Sequence, residues 1–195
     1  MTIPEAVGIV TAPLQGGGPT ATKGELVERL TPAKRRVGAR AEGPAVREKF
    51  LLFRVGDEIY GMGLRGLREV LLSDGVTSLP APPYQVCVAL AYRGRKLPVI
   101  RMRALFEVPP AGAAGTERVL LTQGRGRLLG LLVDEVLEMA EVDPARITPL
   151  PALATLLDPA CFRGLFARQD RIILLVNEDG LGGFDEVVQF YAAGA

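Results

Sequence analysis

Hydrophobic positions in this chain fall in short runs separated by glycine, proline and charged residues, which is typical of β-strands joined by tight turns. The clearest example is residues 86–106, where two apolar runs flank the charged turn Arg93-Gly94-Arg95-Lys96 and predict a β-hairpin. A second hairpin of similar design is predicted at residues 165–176. The repetition indicates that the chain has two related halves.

Each predicted half contains a hairpin, an acidic-apolar segment, a crossing loop marked by proline and a second hairpin. These elements fall at residues 50–64, 67–72, 77–83 and 86–100 in the first half, and at 118–133, 134–139, 147–151 and 165–176 in the second. A proline-rich connector at 109–115 separates the halves. The runs 128–133 and 172–176 are apolar throughout, which predicts strands buried on both faces.

This pattern predicts a mainly β fold with two pseudo-symmetric five-stranded β-barrel lobes and short helices, because small barrels protect the edges of short strands. We expect the first lobe at about residues 50–108 and the second at about 116–180, and an exchange of terminal segments between the lobes stays open. Residues 1–45 have no period that predicts a buried face, and they contain the run Gln15-Gly16-Gly17-Gly18-Pro19. We expect them to form a flexible N-terminal tail.

Composition narrows the class of protein. Apolar residues make up 48% of the 195 residues, enough for a buried core, and the net charge is only +1. This charge argues against diffuse attraction to nucleic acid or to anionic membrane. No apolar run is long enough to span a membrane, and the N-terminus lacks a secretory pattern. We therefore expect a cytoplasmic protein without direct membrane insertion, in which Cys87 and Cys161 are buried, reduced thiols.

The chain also lacks much of the chemistry on which enzymes depend. Histidine is absent, which removes the imidazole of hydrolase triads, of typical zinc sites and of phosphotransfer. The glycines at 124, 126 and 130 are followed by an apolar strand rather than a helix, which indicates a hairpin turn and not a phosphate-binding loop. The acidic stretch 134–143 lacks the spacing of a calcium loop and is interpreted as a solvated face or a surface for a basic partner. We expect no catalysis, no metal and no cofactor.

The order of the remaining motifs resembles the CheW-like chemotaxis coupling proteins, and the resemblance covers about residues 50–190. Its most specific part is Arg-Gly-x-x-x-Pro-Val at 93–99 followed by Gly-x-x-Val-Asp-x-Val at 130–136. The other matching segments are residues 50–61, 67–70, 77–83 and 171–177. We take residues 46–190 as the CheW-like domain.

The resemblance implies a fold of two SH3-like β-barrels packed side by side. It also implies a non-enzymatic adaptor that couples the cytoplasmic tips of chemoreceptors to the regulatory domain of a CheA-type histidine kinase, in receptor arrays. Carried over by motif, the partner-binding residues are Leu67, Glu69, Val88, Arg93 and Gly94. We expect Glu69 and Arg93 to form an ion pair on the receptor-facing surface, with Leu67 beside them as an apolar contact.

The chain departs from the family pattern in this same hairpin. Val88 and Ala91 occupy positions where the family usually has glycine and asparagine, Tyr92 replaces a leucine, and Arg101 replaces an aspartate. Other functions therefore stay open. The chain fits a scaffold or competitor that binds CheA without coupling receptors, and with less support a small-barrel module that binds nucleic acid. A small hydrolase is disfavoured by the missing histidine.

Overall fold

The structure is a computed structural model, and it describes residues 47–79, 87–109, 115–150 and 158–193. The strands within these ranges are β1 (Glu48–Val55), β2 (Glu58–Gly63), β3 (Leu67–Leu72), β4 (Val76–Thr77), β5 (Cys87–Tyr92), β6 (Arg95–Arg101), β7 (Arg118–Gly124), β8 (Arg127–Val133), β9 (Glu135–Val142), β10 (Phe162–Arg168) and β11 (Arg171–Val176). The helices are α1 (Met102–Leu105), α2 (Glu178–Gly182) and α3 (Asp185–Ala192), with 3₁₀ turns at Pro144–Arg146 and Pro159–Cys161.

The described strands form two sheets. The five-stranded sheet has the order β10-β11-β2-β1-β9, and the six-stranded sheet has the order β3-β7-β8-β6-β5-β4. Apart from the two-residue strand β4, the sheets correspond strand by strand, with β5-β6-β8-β7-β3 matching β10-β11-β2-β1-β9. The predicted mainly β fold with two pseudo-symmetric lobes and short helices is confirmed.

The two sheets do not follow the two halves of the chain, because each sheet contains strands from both halves. The first hairpin of each half is exchanged. Strands β1 and β2 lie in one sheet with β9, β10 and β11, whereas β7 and β8 lie in the other sheet with β3, β4, β5 and β6. The exchange is made by parallel pairing, of β2 with β11 and of β6 with β8. A turn motif specifies which two strands form a hairpin, but the neighbour at the hairpin's outer edge depends on which buried faces fit together.

The predicted hairpins at 86–106 and 165–176 are observed as β5–β6 and β10–β11. Their connecting turns, Arg93-Gly94 and Gln169-Asp170, have positive φ at both residues, as does Arg125-Gly126 between β7 and β8. Two-residue turns of this conformation match the right-handed twist of antiparallel strands. The interpretation of the Gly124–Gly126 region as a hairpin turn is confirmed.

The two runs that are apolar throughout lie in interior strands, as predicted. Strand β8 lies between β7 and β6, and Leu129 and Leu131 have no exposed surface. Strand β11 lies between β10 and β2, and Leu175 is equally buried. The two faces of each strand pack against different apolar clusters: Leu131 lies in the large shared cluster and Leu132 packs against the cluster of Val99 and Val119, while Leu174 packs against the large cluster and Leu175 lies in a second one with Phe50 and Ile173.

Stacked aromatic rings connect the five-stranded sheet to the segment that follows the six-stranded sheet. Tyr60 on β2 stacks on Phe53 at 6.0 Å between ring centroids and on Phe106, just after α1, at 4.5 Å. Phe106 in turn stacks on Phe162 of β10 at 5.9 Å. These rings belong to or pack against the largest apolar cluster, which includes residues of both sheets. The two lobes therefore share one core.

A half-buried ion pair joins the same elements at the surface of the core. Arg103 on α1 donates from Nε to Asp134 Oδ1 at 2.6 Å and from Nη2 to Oδ2 at 2.7 Å, and Gly56 N donates to the same Oδ2 at 2.6 Å. Asp134 is predicted on a solvated face or on a surface for a basic partner, but its side chain is only 12% exposed. Its neighbours Glu135 and Glu138 also pair within the protein, with Arg54 and Arg168. Much of the acidic stretch is thus neutralised by the protein itself.

The two cysteines are buried and free, as predicted. The Cys87 amide donates to the Glu186 carboxylate at 2.8 Å, which ties the start of β5 to α3. Burial, with a further contribution from Glu186, raises the pKa of the Cys87 thiol to about 12. Burial also raises the pKa of the Cys161 thiol. Both thiols are therefore protonated and shielded in the folded protein.

Several predicted segments fall outside the described residues. These are the tail at 1–45 and parts of the crossing loops and connector, at 80–83, 110–114 and 151. In the part of the chain that the structure describes, no helix combines the length and the apolar character needed to cross a membrane.

Candidate functional site

Two of the predicted partner-binding residues, Glu69 and Arg93, lie side by side at the surface. Arg93 Nη2 is 3.6 Å from Glu69 Oε2, and the two side chains are 42% exposed for Glu69 and 76% exposed for Arg93. The expected ion pair is present. The same carboxylate oxygen also accepts a hydrogen bond of 2.7 Å from the Tyr92 hydroxyl, and the Arg93 guanidinium lies 4.9 Å from the centre of the Tyr92 ring.

The two side chains come from elements that are not neighbours in the sheet, so the tertiary structure brings them together. Glu69 lies on β3, which is the edge strand of the six-stranded sheet, and Arg93 occupies the first position of the β5–β6 turn. Gly94 follows at φ +77°, and a Cβ placed on it would meet nothing within 4 Å. Glycine is therefore needed at position 94 for the positive φ of the turn and not for lack of space, and the surface beside Arg93 is open.

The other two predicted residues do not reach this surface in the same way. Leu67 is half-buried and packs against the large shared core. Val88 is only 5% exposed and packs with Leu90, Val99 and Val119 in the interior of the six-stranded sheet. Val88, Leu90 and Tyr92 lie on the same face of β5, where Val88 and Leu90 are buried and Tyr92, the last residue of the strand, reaches the cleft.

A cleft of about 810 Å³ opens beside the Glu69–Arg93 pair. It lies between β3, the β5–β6 turn, the β7–β8 turn and the end of α3. Its lining residues are Arg68, Glu69, Tyr92, Arg93, Arg95, Lys96, Leu97, Leu121, Gly126, Arg127, Leu128 and Tyr191. Leu97 and Leu121 are almost fully buried and form an apolar floor, whereas the cationic side chains are at the rim.

The cleft is strongly basic. Five cationic side chains and one carboxylate line it among the described residues. Arg68 donates to Gln123 at 2.6 Å, and Arg127 lies 5.8 Å from the centre of the Tyr191 ring. Arg95 and Lys96 are exposed and make no ion pair within the described part of the chain. Since cations gathered in one cleft raise the local potential, this site attracts anionic groups.

Both tyrosines of the cleft act as neutral hydrogen-bond donors. The hydrogen bond to the Glu69 carboxylate raises the pKa of Tyr92, and burial raises the pKa of Tyr191. The Tyr191 hydroxyl donates to the carbonyl oxygen of Leu128, which fixes α3 against β8. Within the described ranges, no cluster of three or more acidic or cysteine side chains is placed to hold a metal ion.

A comparison with family models matches residues 49–183 to the CheW-like domain. The chain belongs to the CheW-like family. The match covers both sheets, and it includes Glu69, Tyr92 and Arg93 at the cleft.

Curated relatives and a solved structure agree with this assignment. The chain is 28% identical over 133 residues to a probable chemotaxis protein CheW of Rhizobium etli, covering 68% of this chain and 86% of the relative. It is 27% identical over 145 residues to the chemotaxis protein CheW of Klebsiella aerogenes, covering 74% of this chain and 87% of the relative. The crystal structure of the scaffolding protein TtCheW from Thermoanaerobacter tengcongensis has the same fold, with a TM-score of 0.66 at 24% identity over 75% of this chain and 95% of that one.

Sequence reasoning missed much of the cleft of this CheW-like chain. Arg95 and Lys96 are visible in the sequence as part of a charged turn, whereas the segment around Arg127 is recognisable only as a turn. Tyr92 stands out as a departure from the family pattern, but its hydrogen bond to Glu69 depends on the tertiary structure, because three strands separate β3 from β5 in the sheet. Tyr191 gives no signal in the sequence, because its position depends on how α3 packs against β8.

Proposed function

We propose that this CheW-like protein is a non-enzymatic adaptor that couples the cytoplasmic tips of chemoreceptors to the regulatory domain of a CheA-type histidine kinase. The observation that carries the proposal is the Glu69–Arg93 pair at the rim of a cleft in a CheW-like fold. In this proposal the cleft binds the receptor, and the protein works in the cytoplasm at receptor arrays.

An adaptor needs a second surface, and the exposed apolar residues support one. Met139 and Leu137 on β9, the edge strand of the five-stranded sheet, are 64% and 39% exposed. Large apolar side chains that stay exposed next to each other often mark protein contacts. We assign the kinase contact to a surface outside the cleft, with the β9 edge as its candidate.

Binding assays with separate partners test the proposal. A receptor-tip fragment and a CheA regulatory domain are each titrated against the full chain and against Arg93→Ala. We expect both to bind the wild type, and we expect the variant to lose receptor affinity by about tenfold or more, since truncating an arginine that anchors an interface costs about 1–2 kcal/mol or more. Kinase affinity should stay unchanged.

Arg171→Ala is the matched control, because Arg171 is an exposed residue beside the equivalent β10–β11 turn of the other lobe. Binding of the kinase domain alone would favour the scaffold or competitor function. Binding of neither fragment, or an Arg93→Ala variant that binds the receptor normally, would contradict the proposal or its site. Stimulation of the kinase in reconstituted receptor arrays is the activity assay that follows.

A further inference from the structure

We propose that Tyr92 is a positioning residue of the partner-binding surface: its hydroxyl occupies the Glu69 carboxylate and so keeps the Arg93 guanidinium available to a partner. This role rests on the proposed adaptor function. It adds to the Glu69–Arg93 pair a third group, which controls how tightly the pair closes.

The first support is the difference between the two contacts that Glu69 makes. Its Oε2 accepts a hydrogen bond of 2.7 Å from the Tyr92 hydroxyl, whereas Arg93 Nη2 lies 3.6 Å from the same atom. The first distance is typical of a charge-assisted hydrogen bond, and the second is longer than an N–H···O hydrogen bond. The hydroxyl, and not the guanidinium, therefore holds this carboxylate oxygen.

The second support is the exposure of Arg93. Its side chain is 76% exposed, and an exposed ion pair at this separation contributes little to stability. The guanidinium lies 4.9 Å from the centre of the Tyr92 ring, which supports it from one side. A guanidinium that lies over a ring without closing onto a carboxylate keeps most of its N–H donors for a partner.

The third support is the place of Tyr92 in its lobe. Three strands separate β3 from β5 in the sheet, so the hydrogen bond from Tyr92 to Glu69 links two strands that are not neighbours. Tyr92 is the last residue of β5, and the turn to β6 begins at Arg93. The hydroxyl thus fixes the end of β5 and, with it, the start of the turn that carries Arg93.

The other lobe makes a different link at the same place. Strands β9 and β10 correspond to β3 and β5, and Arg168, the last residue of β10, lies 2.9 Å from Glu138 on β9. There the strand-end residue is itself the cation that neutralises the glutamate, and the turn that follows, Gln169-Asp170, carries no cation. With tyrosine at the equivalent position, the link is made by a neutral group and the arginine comes one residue later, on the exposed turn.

Removing the hydroxyl reverses this balance. Phenylalanine at position 92 keeps a ring beside Arg93 but offers Glu69 no donor, so the exposed Arg93 side chain can move from 3.6 Å into hydrogen-bonding range. An arginine that is closed onto Glu69 must leave that carboxylate before it binds a partner, which lowers partner affinity. Leucine, which Tyr92 replaces in the family pattern, also has no donor, so the open arrangement is a feature of this chain.

Tyr92→Phe tests the inference in two backgrounds, the wild type and Glu69→Gln. The affinity of the receptor-tip fragment for the full chain is measured by isothermal titration calorimetry, and thermal melting checks that each variant is folded. We expect Tyr92→Phe to weaken binding about fivefold in the wild-type background, the equivalent of one hydrogen bond. In the Glu69→Gln background the loss should be below about twofold, because no carboxylate remains to capture Arg93.

Tyr191→Phe is the matched control. It removes the other tyrosine hydroxyl of the cleft, which donates to the Leu128 carbonyl oxygen and not to Glu69. Any change that it causes in receptor affinity should be the same in both backgrounds. A loss from Tyr92→Phe that is equal in the two backgrounds indicates a merely structural role and overturns the inference, as does a Tyr191→Phe loss that disappears with Glu69→Gln.

A second measurement needs no partner. NMR follows the exchange of the Arg93 Nε hydrogen with water, and the signal is assigned by its absence from Arg93→Ala. We expect the exchange to slow at least about threefold in Tyr92→Phe, as the guanidinium closes onto Glu69, and to stay within about twofold of the wild type in Glu69→Gln/Tyr92→Phe. Unchanged exchange in Tyr92→Phe overturns the inference.

The two measurements separate this role from the adaptor function. If Arg93→Ala weakens receptor binding while Tyr92→Phe binds like the wild type, the adaptor function stands and the positioning role of Tyr92 fails. If the receptor-tip fragment binds none of the proteins, the adaptor function fails, and exchange at Arg93 then decides the positioning role by itself.

Discussion

The ion pair between Arg103 and Asp134 offers the sharpest test of how the two lobes are held together. Asp134 precedes β9 of the five-stranded sheet, Arg103 follows β6 of the six-stranded sheet, and the carboxylate also accepts the Gly56 amide of the β1–β2 turn. Replacing Asp134 by asparagine removes the negative charge and one acceptor from a geometry with three short hydrogen bonds. The Arg103 guanidinium then keeps its positive charge without the negative charge of Asp134, although its side chain is only 22% exposed to solvent.

The expected cost of Asp134→Asn is about 3 kcal/mol of unfolding free energy. Breaking a fully buried pair by removing one partner costs about 3–5 kcal/mol, and the partial exposure of this pair places it at the low end of that range. For a protein of this size, about 3 kcal/mol corresponds to a fall of about 6–12 °C in Tm. Urea unfolding and thermal melting measure both quantities.

Glu135→Gln is the matched control for Asp134→Asn. Glu135 is adjacent in the chain and pairs with Arg54 at 2.6 Å, but these side chains are 39% and 47% exposed. We expect a loss below about 1 kcal/mol, as for other exposed pairs. The double variant Arg103→Met/Asp134→Asn should be less destabilised than the sum of its single variants, since it leaves no unpaired charge. If Asp134→Asn is no more costly than Glu135→Gln, the ion pair does not hold the lobes together and the reasoning is wrong.

Three further predictions concern packing, thiol reactivity and pH. Gly124→Ala should lower the free energy of unfolding by about 3 kcal/mol or more, because the added Cβ would overlap the backbone oxygen of Glu178. Gly126 has open space around it, so Gly126→Ala should lower the free energy of unfolding by only about 1 kcal/mol, the cost of its positive φ. Urea titration compares the two, and a larger loss for Gly126→Ala would contradict the packing explanation. Cys87 and Cys161 should not react with a thiol reagent such as DTNB in the folded protein at neutral pH but should both react after unfolding in guanidinium, so rapid native labelling would contradict their burial. The pKa of the Cys87 thiol is raised from 9.0 to about 12 in the folded protein. The contribution of this thiol to the free energy of unfolding should therefore be complete below about pH 9 and should fall between about pH 9 and about pH 12, by up to about 1.4 kcal/mol per pH unit. Urea titrations of the wild type and of Cys87→Ala at several pH values test this.

The strands and turns of this protein were predictable because they are encoded by neighbouring residues. The alternation of apolar runs with charged or polar turns predicted the β5–β6 and β10–β11 hairpins, and the continuous apolar runs predicted that β8 and β11 are interior. The order of the motifs along the chain was sufficient to predict the CheW-like family. The Glu69–Arg93 pair followed from the same resemblance.

Tertiary structure alone decided how these elements were combined. The parallel pairing of β2 with β11 and of β6 with β8 exchanges the first hairpin of each half, and the contacts responsible are far apart in the chain. The same packing buries Asp134 against Arg103, although the sequence indicated an exposed acidic stretch. It also brings Arg68, Arg127 and Tyr191 to the hairpin that carries Arg93. Local patterns encode strands and turns because these depend on adjacent residues, whereas a cleft depends on surfaces that meet only after folding.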